Sequence, residues 1–328
     1  MKKLIASVLG GVLACVCAHA QVQVETVFFE MRGGVSLTKP HLYADYYNLH
    51  VKGQLTPTLK YQLRQRFNEP FYDEQNPLNA TDILRLSWDI TPQWTVEAGK
   101  MPVNIGGYEW DDAPIEVYYW SDFCNTIAQI YGLAGTVWWK PSASQSLYAQ
   151  FSHSLLHLWN PNVFNVGVGW YGHIFPWWKT IWGVNWMDDA YHHHMGYLAL
   201  GNRFEAGPVA LELDAMYRRS LIQKKAGFDG TAVARLEVNI GPKWSFFAKG
   251  GWDYNDAVNL DGQGIPYDLT VAPGTNYFFY GGGAEYYPLG NPNLRLHAAA
   301  WADNREKRLY AVAGLTFRLH LVKPRQED

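Results

Sequence analysis

The chain has 328 residues and a formal net charge of −3, and this weak negative charge argues against a nucleic-acid partner. Aromatic residues make up 16% of the sequence, including 15 Trp and 21 Tyr, which is high for a soluble protein. After residue 20 no run of 18 apolar residues occurs, so no helical membrane span is expected. An exported β-protein or a membrane β-barrel fits these features.

The first twenty residues have the three parts of a secretory signal peptide. Met1–Lys3 is basic, Leu4–Ala14 is apolar, and Ala18–Ala20 supplies the small residues of a cleavage site. The apolar part is too short to span a bilayer as a helix. We therefore predict a signal peptide over residues 1–20. Its removal leaves Cys124 as the only cysteine, which excludes an internal disulfide and a cysteine metal cluster.

Beyond the signal, apolar and polar residues alternate in long segments. In Arg308–Leu321 every second residue from Leu309 onwards is apolar, and the residues between them are mostly polar. Because successive side chains of a strand point to opposite faces, such a segment has one apolar face and one polar face. The same division recurs in four further segments: Leu59–Phe67, Leu84–Ile90, Val209–Arg218 and Ala234–Ile240.

Two features favour a membrane barrel over a soluble sandwich. Many segments reach roughly nine to thirteen residues, the length of a tilted membrane strand, whereas soluble strands average about five or six. The connections also alternate between short and long, like the periplasmic turns and outer loops of outer-membrane barrels. We predict an all-β, antiparallel transmembrane barrel over residues 21–328, with sixteen strands, or fourteen if the Trp-rich stretch Val163–Asp188 is divided differently.

The predicted strands are 26–38, 42–54, 59–67, 82–90, 94–101, 127–139, 146–153, 164–173, 180–187, 193–205, 208–218, 230–240, 244–253, 276–286, 293–302 and 308–321. An even number of strands places both termini in the periplasm. Aromatic residues gather beside the short turns, as expected for a girdle at the membrane interface. These residues are Trp94, Trp138, Trp139, Trp177, Trp178, Trp244, Tyr286 and Tyr287.

Sixteen strands enclose an aqueous channel. The same alternation places basic side chains on the inner face, where they avoid the cost of about 2–4 kcal/mol that arginine has at mid-depth in lipid. These charges either set an ion preference or only keep the lumen hydrated. The candidate channel-lining residues are Lys60, Arg64, Arg66, Arg85, Arg235, Arg295 and Arg318.

The connection Pro102–Thr126 follows the fifth strand and is the third outer loop. Long loops of this kind usually have a function. Folded into the lumen, its acidic residues would face the basic wall across a constriction, and charges at a constriction set ion preference. The alternative is an extracellular flap. The candidate constriction residues are Glu109, Asp111, Asp112 and Glu116.

The stretch Gly99–Glu109, with the sequence GKMPVNIGGYE, resembles the end of the fifth strand and the start of the third loop in the phosphate-selective porin O and P family. The resemblance implies an outer-membrane channel, surrounded by lipid, through which small hydrophilic solutes or ions diffuse. It implies a third loop inside the pore, no cofactor, and a homotrimer as a candidate assembly. Phosphate selectivity does not carry over, because the third loop is acidic where lysine and arginine would be needed.

Two other groupings could carry chemistry. His192–His194 beside Asp188 and Asp189 contains metal-ligand types, but consecutive strand residues point in opposite directions and cannot converge. His153 and Ser154, with His157, resemble a nucleophile and base, yet no third partner orients them. We therefore predict no metal site, no catalytic residues and no enzymatic activity.

The main rival function is an outer-membrane barrel whose aromatic loops bind carbohydrate or act in adhesion. Outside the barrel class, a secreted glycan-binding β-sandwich would share the aromatic content. It would lack lipid-facing apolar rows, so its solubility would not depend on detergent.

Overall fold

The computed structural model describes residues 22–70, 78–127, 130–156, 162–188, 194–220, 228–256 and 271–322. The predicted signal peptide, residues 1–20, lies outside these ranges and stays a prediction. Among the described residues no helix has the length and apolar character that a membrane crossing requires.

Sixteen antiparallel strands form one closed barrel, in which β1 pairs with both β2 and β16. The predicted count is confirmed, including the two strands in the Trp-rich stretch. The strands are β1 (Gln23–Ser36), β2 (His41–Thr56), β3 (Leu59–Arg66), β4 (Thr81–Thr91), β5 (Trp94–Pro102), β6 (Tyr131–Ser142), β7 (Gln145–His153), β8 (Phe164–Phe175), β9 (Trp178–Asp188), β10 (His194–Ala206), β11 (Val209–Ser220), β12 (Asp229–Ile240), β13 (Trp244–Asn255), β14 (Thr275–Tyr286), β15 (Leu294–Asp303) and β16 (Leu309–Val322).

The alternation of the sequence becomes the two faces of the wall. On β4, Leu84, Leu86 and Trp88 are 40–51% exposed on the outside. On β11, Glu212 and Asp214 are 6% exposed on the inside. Apolar side chains therefore meet the lipid, and the charges face a shielded lumen.

The predicted aromatic girdle is right for some residues and wrong for others. Trp94, Trp177 and Trp244 are 42–51% exposed on the outer face. Trp138 and Tyr287 instead point inwards: the Trp138 indole donates to the Glu97 carboxylate at 2.9 Å, and the Tyr287 hydroxyl donates to Glu285 at 2.5 Å. Strand parity, rather than closeness to a turn, decides which way each ring points.

The third outer loop, between β5 and β6, folds into the lumen, as the family resemblance implied. Its short elements, none of them predicted, are helix α1 (Tyr108–Asp111), a 3₁₀ turn (Pro114–Glu116) and helix α2 (Asp122–Thr126). Ile105 and Phe123 are at most 2% exposed and belong to a cluster with the inward-facing Met195 and Met216. The alternative of an extracellular flap is therefore wrong.

A charge on the lipid-facing surface should lower the free energy of unfolding more at the middle of the bilayer than near its edge. Leu213→Arg places a cation on the lipid face near the middle of β11 and should lower the free energy of unfolding by about 2–4 kcal/mol. Ile240→Arg is the matched control at the end of β12, where the cost should be about 0–1 kcal/mol. Urea titrations in lipid vesicles, followed by tryptophan fluorescence, measure both values. Equal costs at the two depths would contradict the placement of the wall in a bilayer.

Candidate channel constriction

The two short helices of the loop are capped by carboxylates of the opposite wall. Asp214 on β11 accepts the backbone N–H groups of Tyr108 at 2.8 Å and Glu109 at 2.7 Å. Asp253 on β13 accepts that of Asp122 at 2.9 Å. The first N–H groups of a helix have no partner within the helix, so an acceptor from another strand satisfies them. These bonds fix the loop against β11 and β13.

Glu109 is the most enclosed charge of the loop, with 3% of its surface exposed. Its carboxylate accepts from the Lys249 ammonium at 2.7 Å and from the Ser121 hydroxyl at 2.6 Å. The thiol of Cys124 donates to it as well, at 3.3 Å. Burial disfavours the charged form, but the Lys249 charge and the hydrogen bonds from Lys249 and Ser121 outweigh it and hold the pKa of Glu109 below its usual range. Glu109 is therefore an ionised anchor that is enclosed by its partners.

The 3₁₀ turn is held by two arginines that emerge from strands far away in sequence. The Arg32 guanidinium on β1 donates to the carbonyls of Ile115 at 3.0 Å and Val117 at 2.6 Å. Arg295 on β15 donates to the Ile115 carbonyl at 3.1 Å. Because carbonyls of a non-repetitive turn lack backbone partners, these donors replace them. The loop is thus attached on the side of β15, β16 and β1 as well as on that of β11 and β13.

Three predicted wall cations pair with predicted loop acids. Arg235 donates to Asp112 at 2.8 Å, and Arg318 donates to Glu116 at 2.7 Å. Arg295 forms a second ion pair with Glu116. These acids therefore act as anchors of the loop.

Asp111 and Asp112 lie at the part of the loop that faces the lumen. The Asp111 carboxylate accepts from the Tyr171 hydroxyl at 2.7 Å. Desolvation raises the pKa of Asp111, and it raises the pKa of Asp112 to about 7 although Arg235 opposes the shift. Asp112 therefore changes its charge near neutral pH.

The other four predicted wall cations lie on β3 and β4. Arg64 contacts Asp82 at 3.4 Å, and Arg66 contacts the same carboxylate at 2.7 Å. Arg85 pairs with Glu97 at 3.2 Å. Lys60 lies towards the short-turn end of β3 and pairs with Asp89 at 2.9 Å. The seven predicted cations thus lie on β12, β15, β16, β3 and β4, and Glu30 on β1 contacts both Arg318 at 3.1 Å and Arg64 at 4.0 Å.

Among the described residues, two cavities lie on one side of the loop. Cavities of about 190 and 350 Å³ lie against β3 to β6 and share Arg64, Trp110, Pro114, Ile130 and Tyr131 as lining. Between the loop and β11 to β13 the space is only about 20 Å³, which holds about one water molecule. The two larger of these cavities are therefore lined by the wall that carries Arg64, Arg66 and Arg85.

Lys249 was missed among the candidate site residues, although it has the central contact with Glu109. A sequence signal exists, because alternation along β13 places Lys249 on the same face as Ser245 and Asp253. Alternation along β11 and β13 also places Asp214 and Asp253 on the inner face, but their role in capping the loop helices was not predicted. That role requires contacts between residues about one hundred positions apart.

The other groupings considered from sequence have local structural partners. The Ser154 hydroxyl is fully buried and donates to the Asp188 carbonyl at 2.5 Å. His194 contacts the Asp188 carboxylate. His157, Asp189, His192 and His193 lie outside the described residues.

Loss of the Lys249 ammonium should destabilise the loop strongly. Lys249→Met leaves the Glu109 carboxylate buried without its cation, which costs about 3–5 kcal/mol. Lys60→Met is the control, because its ion pair with Asp89 is half exposed and contributes about 1 kcal/mol or less. Unfolding free energies give both values. A loss of stability no larger in Lys249→Met than in the control would contradict the anchoring role of this pair.

The model of the phosphate-selective porin O and P family matches residues 34–155, which include the third loop. Comparison with curated proteins gives no match. An anion-selective porin from Comamonas acidovorans superimposes with a TM-score of 0.64 at 10% identity, covering 91% of this chain and 100% of that one.

Two further solved structures share the architecture. OmpF of Salmonella typhi in complex with daunomycin gives a TM-score of 0.59 at 13% identity, over 92% of this chain and 98% of that one. In-vitro folded OmpT of Vibrio cholerae, in its trimer form, gives 0.60 at 9% identity, over 91% and 99%. The predicted resemblance is confirmed: the chain has the fold of the bacterial porins, and its residues 34–155 match the phosphate-selective porin O and P family.

Proposed function

We propose that this protein is a porin of the Gram-negative outer membrane through which small hydrophilic solutes or ions diffuse. The observation that carries the proposal is the closed barrel with two neighbouring cavities beside the third loop, of about 190 and 350 Å³, which share Arg64 and Tyr131 as lining. A closed wall with an apolar outside and a polar lumen suits passive passage across a bilayer. Export through the signal peptide of residues 1–20 belongs to the same proposal.

The route favours anions weakly. The cavity of about 190 Å³ has Arg64, Arg66 and Asp82 as its charged lining residues, which leaves one positive charge in excess. Arg66 also contacts Glu69 at 3.6 Å and Arg64 contacts Glu30 at 4.0 Å, but neither of these carboxylates lines the cavity. On the opposite side, Glu109 and Glu116 are neutralised by wall cations. An unbalanced charge beside a constriction sets the ion preference of a pore. One of the solved structures with this fold is described as an anion-selective porin, which supports the same direction.

We also propose that three copies of the chain assemble as a homotrimer. The structure of OmpT with this fold is described as a trimer form. Outer-membrane lipid would surround the remaining wall. We propose no cofactor and no catalytic activity, because the geometry of the lumen accounts for passage by diffusion alone.

Conductance in a planar lipid bilayer tests the channel function. The detergent-folded chain should give stepwise, persistent conductance, and a salt gradient should give a reversal potential of the sign expected for anion preference. A folded, heat-modifiable barrel without conductance would overturn the proposal and favour the carbohydrate-binding or adhesion function.

Neutralising one wall cation tests the route. Arg85→Gln should lower the anion-to-cation permeability ratio by up to about fivefold, because a unit charge about 4 Å from an ion in water changes its energy by about 1 kcal/mol. Glu97 keeps donors from Ser87 and Trp138, so the fold should persist. Lys39→Gln, the same charge change in an exposed turn outside the lumen, should leave the ratio unchanged. Equal effects of the two variants would place the ion path elsewhere.

The anion preference should increase as the pH falls from 8 to 6. The pKa of Asp112 is raised to about 7, so its negative charge is present above that pH and is lost below it, while Arg235 stays positive. Reversal potentials across this range measure the change. Asp112→Asn should hold the low-pH preference at both values, whereas a shift of unchanged size in this variant would assign the titration to another group.

A further inference from the structure

The outer face of the barrel carries a groove across β8 to β11, with a volume of about 410 Å³. Strand register defines its upper row. Val166 pairs with Trp186, Trp186 pairs with Gly196, and Gly196 pairs with Arg219. These residues lie close to the ends of the strands that face the long outer loops, and hence in the outer half of the wall.

The lower row is apolar. Val168 pairs with Val184, Val184 pairs with Leu198, and Leu198 pairs with Tyr217. The two valines are 53% and 54% exposed, and Leu198 is 38% exposed. Neighbouring strands are about 4.8 Å apart, so the row forms a continuous apolar strip. Such a strip suits a hydrocarbon chain that lies along the wall.

Gly196 forms the floor of the upper row, and nothing in the described fold requires a glycine there. A Cβ built at this position would be 3.9 Å from its nearest neighbour, the Arg219 carbonyl oxygen, which is an ordinary contact. Gly183 differs, because a Cβ there would be 2.3 Å from the Ile105 carbonyl oxygen of the third loop. Because Gly196 has no side chain, the groove stays open between Trp186 and Arg219.

Arg219 is a cation on the outer face without an ion-pair partner among the described residues. Its neighbour Arg218 is fully buried on the lumen side and contacts Asp229 at 2.8 Å. Arg219 is exposed and lies one residue before the end of β11, at the level expected for lipid headgroups. A guanidinium at that depth is tolerated, and it pairs strongly with phosphate oxygens through two parallel hydrogen bonds.

We infer that the groove binds a membrane lipid with an anionic phosphate headgroup. The phosphate pairs with Arg219, and an acyl chain lies over Gly196 and along the strip of Val168, Val184 and Leu198. The apolar strip and Arg219 at its outer end, which has no ion-pair partner in the described part of the chain, match the two parts of such a lipid. The inference rests on the proposed placement of the barrel in the outer membrane, but it does not depend on the ion path through the lumen.

Native mass spectrometry of the detergent-folded full chain, titrated with phosphatidylglycerol, tests the inference. One lipid should bind with higher affinity than the rest. Gly196→Leu fills the groove and should weaken this binding at least tenfold. Gly135→Leu is the matched control, since Gly135 is an exposed glycine on β6 whose added Cβ would also meet nothing closer than 4.0 Å. Equal binding by the wild type and both variants would overturn the site.

The headgroup is tested separately. Arg219→Gln should lower the preference for phosphatidylglycerol over phosphatidylcholine at least fivefold, whereas Lys39→Gln should leave it unchanged. An unchanged preference in Arg219→Gln, or displacement of the lipid by inorganic phosphate alone, would overturn the assignment. Loss of an oligomer in Gly196→Leu would show that a second copy occupies the groove. Heat-modifiability checks folding, and wild-type conductance in the variants separates this site from the channel function.

Discussion

The structure depends on one constraint: in a bilayer every backbone N–H and C=O must find a partner within the protein. A single sheet satisfies it only by closing, and here β1 closes on β16 through pairs such as Met31 with Phe317. Closure then gives the alternating side chains their two environments, lipid outside and a shielded lumen inside. The apolar rows and the inward charges both follow from this one requirement.

The same constraint applies to the third loop, because a loop inside the lumen also has backbone groups to satisfy. The wall supplies the partners: Asp214 and Asp253 accept from the starts of α1 and α2, and Arg32 and Arg295 donate to the 3₁₀ turn. Buried charges contribute to stability only where they are well paired. The pairing of Glu109 with Lys249 fits this rule, since the carboxylate has donors from Ser121 as well. Much of the lumen charge is therefore a framework for the loop.

The strands could be predicted from sequence because alternation is a local signal. Alternation predicts that the apolar row from Leu309 lies on the outer face and that Arg64 and Arg85 point into the lumen, and the strands of the structure have this arrangement. For the candidate site, the sequence predicted only the sign of the charges on each side: a basic wall and an acidic loop. Which acid meets which cation depends on barrel closure, which brings Glu116 to Arg318 across most of the chain length. Helix α1 had no local capping signal, because the acceptor at its start is Asp214 on another strand. Helix α2 does have a local N-cap, Ser121, which accepts from the Cys124 N–H at 3.2 Å, and this signal was missed.

Pairing also explains how an acidic loop can be reconciled with the anion preference that we propose. The composition of Pro102–Thr126 suggests a negatively charged constriction. The carboxylates of Glu109 and Glu116, however, form ion pairs with Lys249, Arg295 and Arg318. In the described part of the chain, the space beside Glu109 and Glu116 is about 20 Å³, whereas a cavity of about 190 Å³ is lined by Arg64, Arg66 and Asp82. The field that a solute meets is set by the charges beside the remaining space, and the net charge of the loop does not describe it. The choice of ion-pair partners therefore supports an ion preference opposite in sign to the one that the composition of the loop suggests.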